Sequence, residues 1–112
     1  MTAESDYFVV IRAAGPGWIR GRPLDEQSGW PEHAAFIDAL VDAGFVVLGG
    51  PLHGAGPQGM LVVRAGDEAA VHRELAADPW SPTGVLETAR VARWELRLGE
   101  LPRSRPPATG GG

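Results

Sequence analysis

The chain has 112 residues, enough for one domain, with 14 acidic and 10 basic residues and a net charge of −4. The absence of cysteine excludes a disulfide framework, a thiolate nucleophile and a cysteine zinc site. The acidic balance argues against nucleic-acid binding, no apolar run reaches the roughly 18 residues of a membrane helix, and the first residues lack a signal-peptide pattern. We therefore expect a soluble cytoplasmic protein that binds neither nucleic acid nor membrane.

The first predicted element is a strand over residues 7–12. Its two alternating faces are both largely apolar, which is typical of a central strand covered on both sides. The glycines and prolines of residues 13–30 then predict a long loop. Two interpretations of this loop stay open. It is either a surface loop pinned by its own aromatic side chains, or a lid over a pocket whose polar contacts come from Arg20, Arg22 and Gln27.

A helix is predicted from Pro31 to Gly44. Proline suits the first turn of a helix, and glycine is the usual residue of a left-handed C-terminal cap. At about 100° per residue, His33 lies on the apolar side of this helix with Ile37 and Leu40. A polar ring on that side needs a partner. His33 is therefore either a core histidine bonded to a backbone carbonyl, or a general acid or base at the edge of a pocket, because free imidazole titrates near neutral pH.

Two apolar strands, residues 45–48 and 60–64, are joined by a segment rich in glycine and proline, which predicts a hairpin. The joining segment matches neither the phosphate-binding loop nor the dinucleotide fingerprint. No nucleotide cofactor is indicated, and we expect His53 within this segment to be exposed.

A second helix is predicted from the N-capping Asp67 to about Ala77, with Val71 and Leu75 on its buried side. The helical phase places Asp78 on that same side, and the proline that follows ends the helix. Asp78 is either a helix-ending aspartate that accepts hydrogen bonds from nearby backbone N–H groups, or a carboxylate presented to a pocket.

A last strand is predicted over residues 85–98, where apolar and charged residues alternate. The resulting order, strand–helix–strand–strand–helix–strand, predicts a ferredoxin-like α+β fold with a four-stranded antiparallel sheet and both helices on one face. The other face is apolar, so we expect two copies to pair through it as a dimeric α+β barrel. The predicted divisions are an N-terminal extension (1–6), the domain (7–98) and a flexible tail (99–112).

Three stretches of the sequence carry a family resemblance: His33-Ala-Ala-Phe-Ile-Asp-Ala-Leu, Gly49-Gly-Pro-Leu52 and Ala77-Asp78-Pro79-Trp80. In this order and spacing they resemble the YciI-related (YCII) family over roughly residues 7–98. The resemblance implies a dimeric ferredoxin-like barrel and an active site built from His33 and Asp78. One implied activity is that of a dehydrochlorinase acting on a chlorinated hydroxyhydroquinone.

The residues and the resemblance together predict a small-molecule enzyme. Asp78 would orient the imidazole of His33, which would move a proton in an elimination, an isomerisation or lactone chemistry on a small aromatic or cyclic metabolite. The predicted substrate-binding residues are Trp18, Arg20, Gln27, Trp30, Trp80 and Ser81. Two alternatives stay open: a non-catalytic metabolite-binding or regulatory barrel, and a purely structural His–Asp pair. We expect a homodimer, no cofactor, and no metal, because the three histidines lack ligand spacing.

Overall fold

The computed structural model describes residues 6–54 and 56–100. Its strands and helices, in chain order, are β1 (Asp6–Ala14), α1 (Trp30–Asp42), β2 (Val46–Leu52), β3 (Gln58–Ala65), α2 (Glu68–Ala76), the one-turn α3 (Trp80–Thr83) and β4 (Leu86–Trp94). A short 3-10 helix, Leu24–Glu26, lies between β1 and α1. Apart from Asp6 and residues 99–100, the predicted N-terminal extension and flexible tail lie outside the described residues.

The four strands form one antiparallel sheet in the order β2-β3-β1-β4. Strand β1 is central and pairs along its length with both neighbours, so that Val9 lies opposite Val62 on β3 and Ala92 on β4. This arrangement confirms the predicted α+β, ferredoxin-like fold. Since β1 is fixed from both sides, side chains near its end are held in a well-defined position.

The main hydrophobic core lies between the sheet and the first two helices. Phe8 and Val10 project from β1 into this core, where they are at most 3% exposed. Side chains alternate along a strand, so Arg12 is the next residue on that same inner face. The other buried members of the core are Leu40, Val46, Val63, Ala65, Val71 and Leu75.

Both long helices have the predicted end signals. The Asp67 side chain accepts a hydrogen bond from the Ala70 amide at 2.8 Å and caps the start of α2. After α1, Gly44 has a φ of 83°, and the amides of Gly44 and Phe45 donate to the carbonyls of Val41 and Leu40. This pair of backbone bonds is a Schellman cap, which requires the left-handed conformation that glycine adopts without strain.

The element boundaries differ from the predictions in several places. Strand β1 spans Asp6–Ala14 rather than residues 7–12, and strand β4 ends at Trp94, which pairs with Tyr7, rather than at Leu98. Strands β2 and β3 are longer than predicted, so the connection between them shrinks to residues 53–57. The 3-10 helix and α3 were not predicted, since both are too short to produce a hydrophobic period.

The sheet face opposite the helices is rich in apolar side chains. It is formed by the second alternating set of β1, which includes Val9 and Ile11, together with Leu48, Met60, Val62 and Trp94 of the neighbouring strands. Leu48 and Trp94 are each 41% exposed. None of the helices within the described ranges is both long and apolar enough to span a membrane.

Candidate functional site

Two side chains and one backbone amide meet around the carboxylate of Asp78, which is fully buried. His33 Nδ1 lies 3.0 Å from Oδ1 and 2.9 Å from Oδ2 of Asp78. Arg12 Nη2 donates to Oδ2 at 2.8 Å, and the Trp80 amide donates to Oδ1 at 2.8 Å. Both oxygens of this buried carboxylate are therefore hydrogen-bonded, as a buried charge requires.

Each member of the cluster is placed by a local feature of the fold. Arg12 is near the end of the central strand β1, and His33 lies in the first turn of α1. Asp78 follows the C-cap of α2, where Pro79 prevents the helix from continuing. The Trp80 amide donates to this aspartate, as in the first interpretation, and the carboxylate is otherwise bonded to His33 and Arg12.

The cluster holds Asp78 ionised. Burial by itself would raise the pKa of Asp78, but the hydrogen bonds from His33 and the Trp80 amide, together with the charge of Arg12, outweigh burial and lower the pKa below its usual value. Burial lowers the pKa of the Arg12 guanidinium, and the neighbouring Asp78 opposes that shift. Arginine stays protonated in proteins, so Arg12 and Asp78 form a buried ion pair whenever Asp78 is ionised.

The state of the imidazole follows from its partner. An ionised carboxylate only accepts hydrogen bonds, so the proton of a neutral His33 ring must be on Nδ1. The other nitrogen, Nε2, is then a free acceptor. Within the described parts of the chain Nε2 has no hydrogen-bond partner, yet no fully buried side-chain nitrogen or oxygen there is left without one. Nε2 is therefore accessible, and in the neutral ring its lone pair is free to accept a hydrogen bond.

Two indoles fix the plane of this imidazole. The rings of His33 and Trp80 are stacked, with centroids 3.9 Å apart and an interplanar angle of 9°. Trp80 is itself anchored, because its Nε1 donates to the Ser28 carbonyl at 2.6 Å. Trp30 lies against both rings, with its centroid 5.9 Å from each. Asp78 thus fixes the imidazole through a hydrogen bond at Nδ1, and the tryptophan rings fix it through packing against the ring face.

His33 and Arg12 lie in the wall of an open cavity of about 670 Å³. Helix α1, the β2–β3 hairpin and the loop before α1 surround this cavity. A volume of this size lies within the usual range for a small-molecule site. Most of the lining is apolar or glycine, and it includes Trp18, Leu24, Trp30, Ile37, Val41, Val46, Leu52, Met60, Leu61 and Leu86.

The structure brings together some of the predicted site residues and leaves others apart. Trp18, Trp30 and His33 line the cavity, while Trp80 supports the imidazole from behind. Besides Trp80, three more of the six predicted substrate-binding residues do not line it. Arg20 is exposed on the loop, Gln27 is buried beneath the loop, and the Ser81 hydroxyl donates to the Leu75 carbonyl at 2.7 Å.

Gln27 holds the loop in shape. Its side-chain oxygen accepts from the Ile19 amide at 2.7 Å, and its side-chain nitrogen donates to the carbonyls of Ile19 and Arg22 at 3.0 and 2.9 Å. Both N–H donors and the oxygen of this buried amide are thus hydrogen-bonded within residues 19–27. The loop is a compact unit that places Trp18 and Leu24 at the cavity.

Arg12 is the site residue that the sequence analysis missed. Arg12 is the last residue of the first predicted strand, and its spacing from Phe8 and Val10 puts it on the inner face. A charged residue on the inner face of a central strand requires a buried partner. The spacing of Arg12 from Phe8 and Val10 was therefore the signal in the sequence. Together with the predicted inward position of Asp78, it would have indicated an Arg12–Asp78 ion pair.

The other two histidines lie away from this cluster. His53 is exposed, as predicted, and His72 pairs with Glu68 on the surface of α2. Within residues 6–54 and 56–100 there is no group of three or more histidine, aspartate or glutamate side chains arranged to hold a metal ion.

These features define a ferredoxin-like α+β domain with a buried Arg–Asp–His cluster at the wall of an apolar cavity. The family model of the YCII-related domain matches residues 8–95, and the chain belongs to this family. A similar solved structure is that of 5-chloro-2-hydroxyhydroquinone dehydrochlorinase from Burkholderia phenoliruptrix, in complex with 2,5-dihydroxybenzoquinone. The two chains are 22% identical with a TM-score of 0.52, and the similarity covers 83% of this chain and 95% of that one. No curated protein matches the sequence.

Proposed function

We propose that this protein is a small-molecule enzyme in which His33 transfers a proton to or from a ring compound bound in the cavity. One observation carries the proposal: His33 is fixed to a buried carboxylate through Nδ1, while Nε2 remains accessible in the wall of the cavity. A base must be held in place on one side and free on the other, and this ring satisfies both conditions.

Asp78 has two roles in this mechanism. It sets the tautomer that leaves the Nε2 lone pair free, and it stabilises the imidazolium that forms when Nε2 takes a proton. In an elimination, the electron pair released by the departing proton expels a leaving group such as chloride. In an isomerisation or in lactone chemistry, His33 returns the proton to another atom. Ser81 is not the nucleophile in this proposal, because its hydroxyl is bonded to the Leu75 carbonyl.

The cavity wall supports a small aromatic or cyclic substrate. Trp18 and Trp30 offer flat apolar surfaces on which a ring can stack. The dehydrochlorinase with the similar fold acts on a chlorinated hydroxyhydroquinone and was solved with a dihydroxybenzoquinone. We extend that substrate type, a six-membered ring bearing hydroxyl or oxo groups, to the present chain.

Assay of His33→Gln with 5-chloro-2-hydroxyhydroquinone tests the proposal, with chloride release as the readout. Removing the base should lower kcat by about 100-fold or more. His72→Gln is the matched control, since His72 is exposed on α2 and should leave turnover unchanged. Equal turnover by His33→Gln and the parent would overturn the role of His33. Binding of 2,5-dihydroxybenzoquinone by a parent that turns over no compound of this type would instead support a non-catalytic metabolite-binding barrel.

We further propose that two copies pair through the apolar sheet face. Leu48 and Trp94 are among the large hydrophobic side chains exposed on the described surface, and both lie on this face beside Val9 and Val62. An apolar face of this kind is more stable when it is covered by a self-complementary copy. The pairing would produce the dimeric α+β barrel expected from the sequence.

A further inference from the structure

Arg12 carries a hydrogen-bond donor that the buried cluster does not use. Nη1 donates to Thr88 Oγ1 at 2.8 Å and Nη2 donates to Asp78 at 2.8 Å. Nε has no partner among the described residues, and no fully buried side-chain nitrogen there is left unpaired. The Nε–H group is therefore accessible, although the side chain as a whole is only 5% exposed. Arg12 lines the cavity, so this donor has space for a ligand atom.

The charges around the cavity favour an anion at the Arg12 end. Arg12, His33 and Asp38 are the titratable residues among those that line it. Asp38 is exposed on α1, where solvent screens its charge, whereas Arg12 is buried in an apolar wall. Asp78 neutralises the charge of Arg12 as a pair, so the preference for an anion rests on a directed hydrogen bond from the charged guanidinium and not on a net positive charge.

We infer that Arg12 forms an anion-binding subsite of this cavity, and that the ligand is a ring compound bearing a carboxylate or a ring oxyanion bound by the Arg12 Nε–H group. The inference rests on the proposed function only in taking this cavity as the ligand site. It adds the charge of the ligand and the residue that recognises it.

The subsite is well suited to orient a substrate. Both Nη nitrogens of Arg12 are fixed by Thr88 and Asp78, so a bound anion costs no further ordering of the guanidinium. Arg12 and His33 contact the same atom, Oδ2 of Asp78. An anion held by Arg12 therefore places the neighbouring part of the ring beside the imidazole.

The test compares 4-hydroxybenzoate with its neutral amide, 4-hydroxybenzamide, because the two differ mainly in charge. Kd values are measured by titration NMR for the parent, Arg12→Met and Arg20→Met. We expect the parent to bind the carboxylate about tenfold or more tightly than the amide, and Arg12→Met to lose that preference. Arg20→Met should retain it, since Arg20 is exposed and does not line the cavity. Equal affinity of the parent for the two ligands would overturn the inference, as would a folded Arg12→Met that keeps the preference.

Two further variants keep the test decisive. Arg12→Lys retains a charge for Asp78 but has no Nε–H donor, so it should lose most of the preference even if Arg12→Met does not fold. A folded Arg12→Lys that keeps the full preference would contradict the inference. His33→Gln removes the proposed base but leaves Arg12 in place, so it should lose turnover and keep the preference for the carboxylate. Failure of the proton-transfer proposal is thus separated from failure of the anion subsite.

Discussion

His33 and Trp80 stack with ring centroids 3.9 Å apart, although they are 47 positions apart in the chain. The residue that holds the edge of the same imidazole, Asp78, comes two positions before this tryptophan. A single turn of chain after α2 therefore fixes the histidine in both orientation and tautomer. The first prediction follows from this double constraint.

Replacement of Trp80 should affect both stability and the site. Trp80 is 1% exposed, so Trp80→Ala removes a large core side chain and should reduce the free energy of unfolding by about 3–5 kcal/mol. Trp80→Phe keeps an aromatic face for His33 but loses the bond to the Ser28 carbonyl. Trp80→Phe should therefore lower the free energy of unfolding by clearly less than Trp80→Ala does. Urea denaturation of the two variants measures the difference. If both variants lost the same free energy of unfolding, the stabilisation by Trp80 would come from its bond to the Ser28 carbonyl and not from the packing of its ring.

The second prediction concerns acid stability. The pKa of Asp78 is lowered in the folded protein, so its ionised form stabilises the fold above the ordinary carboxyl pKa, near pH 4. This contribution is lost as the pH falls from about 4 toward the lower pKa of the folded state. The parent should therefore lose stability over that range, while Asp78→Asn should show a shallower acid dependence and be much less stable at pH 7.

Chemical denaturation at pH 7 and pH 3 measures this effect, with Asp42→Asn as the control because Asp42 is exposed on α1. The control should follow the parent at both pH values. If the stability gap between the parent and Asp78→Asn stayed constant from pH 7 to pH 3, Asp78 would not be the group that titrates.

The third prediction concerns the close approach of two backbone segments. A Cβ atom on Gly17 would overlap the carbonyl oxygen of Thr83, which belongs to α3 and cannot rotate away. Gly17→Ala should therefore destabilise the protein by about 1–3 kcal/mol. Gly66→Ala is the matched control, because a Cβ there meets no atom within 4 Å. Thermal denaturation compares them, and equal midpoints for the two variants would contradict the packing described here.

The fourth prediction tests the proposed homodimer. Analytical ultracentrifugation of the parent should give twice the mass of one chain. Leu48→Glu and Trp94→Glu each put a charge on the apolar sheet face and should shift the protein toward the monomer. Ile19→Glu is the control, since Ile19 is comparably exposed but lies on the loop before α1. A monomeric parent, or glutamate variants that remain dimeric, would rule out pairing through this face.

Much of the fold could be predicted because its signals are local. Gly44 and Asp67 mark helix ends through backbone conformation and a side-chain cap, which depend on a few neighbouring residues. The inward positions of His33 and Asp78 follow from helical periodicity alone. Their direct contact could not be obtained in this way, because periodicity gives the face of an element but not the register between elements.

The rest of the site depends on long-range contacts. Gln27 was predicted to bind substrate, but its side-chain amide is hydrogen-bonded to the backbone of the loop. No short sequence pattern predicts the loop conformation in which these bonds form. The last strand was extended to Leu98 because its alternation continues, yet Leu98 is 92% exposed where pairing with β1 has ended. Arg12 was missed because its two partners, Thr88 and Asp78, lie more than 60 positions away.

The backbone contact beneath the loop has a mechanical consequence. The amides of Gly15 and Gly17 donate to the carbonyls of Val85 and Gly84, which tie the start of the loop to the segment just after α3. That segment follows directly from the turn that carries Asp78 and Trp80. Trp18 follows Gly17 directly and packs with Trp30 against the cluster of Trp80, Val85 and Leu86. The loop at the cavity and the turn that aligns the imidazole are therefore parts of one packed unit, and a change of loop conformation at Trp18 would disturb the packing of Trp80.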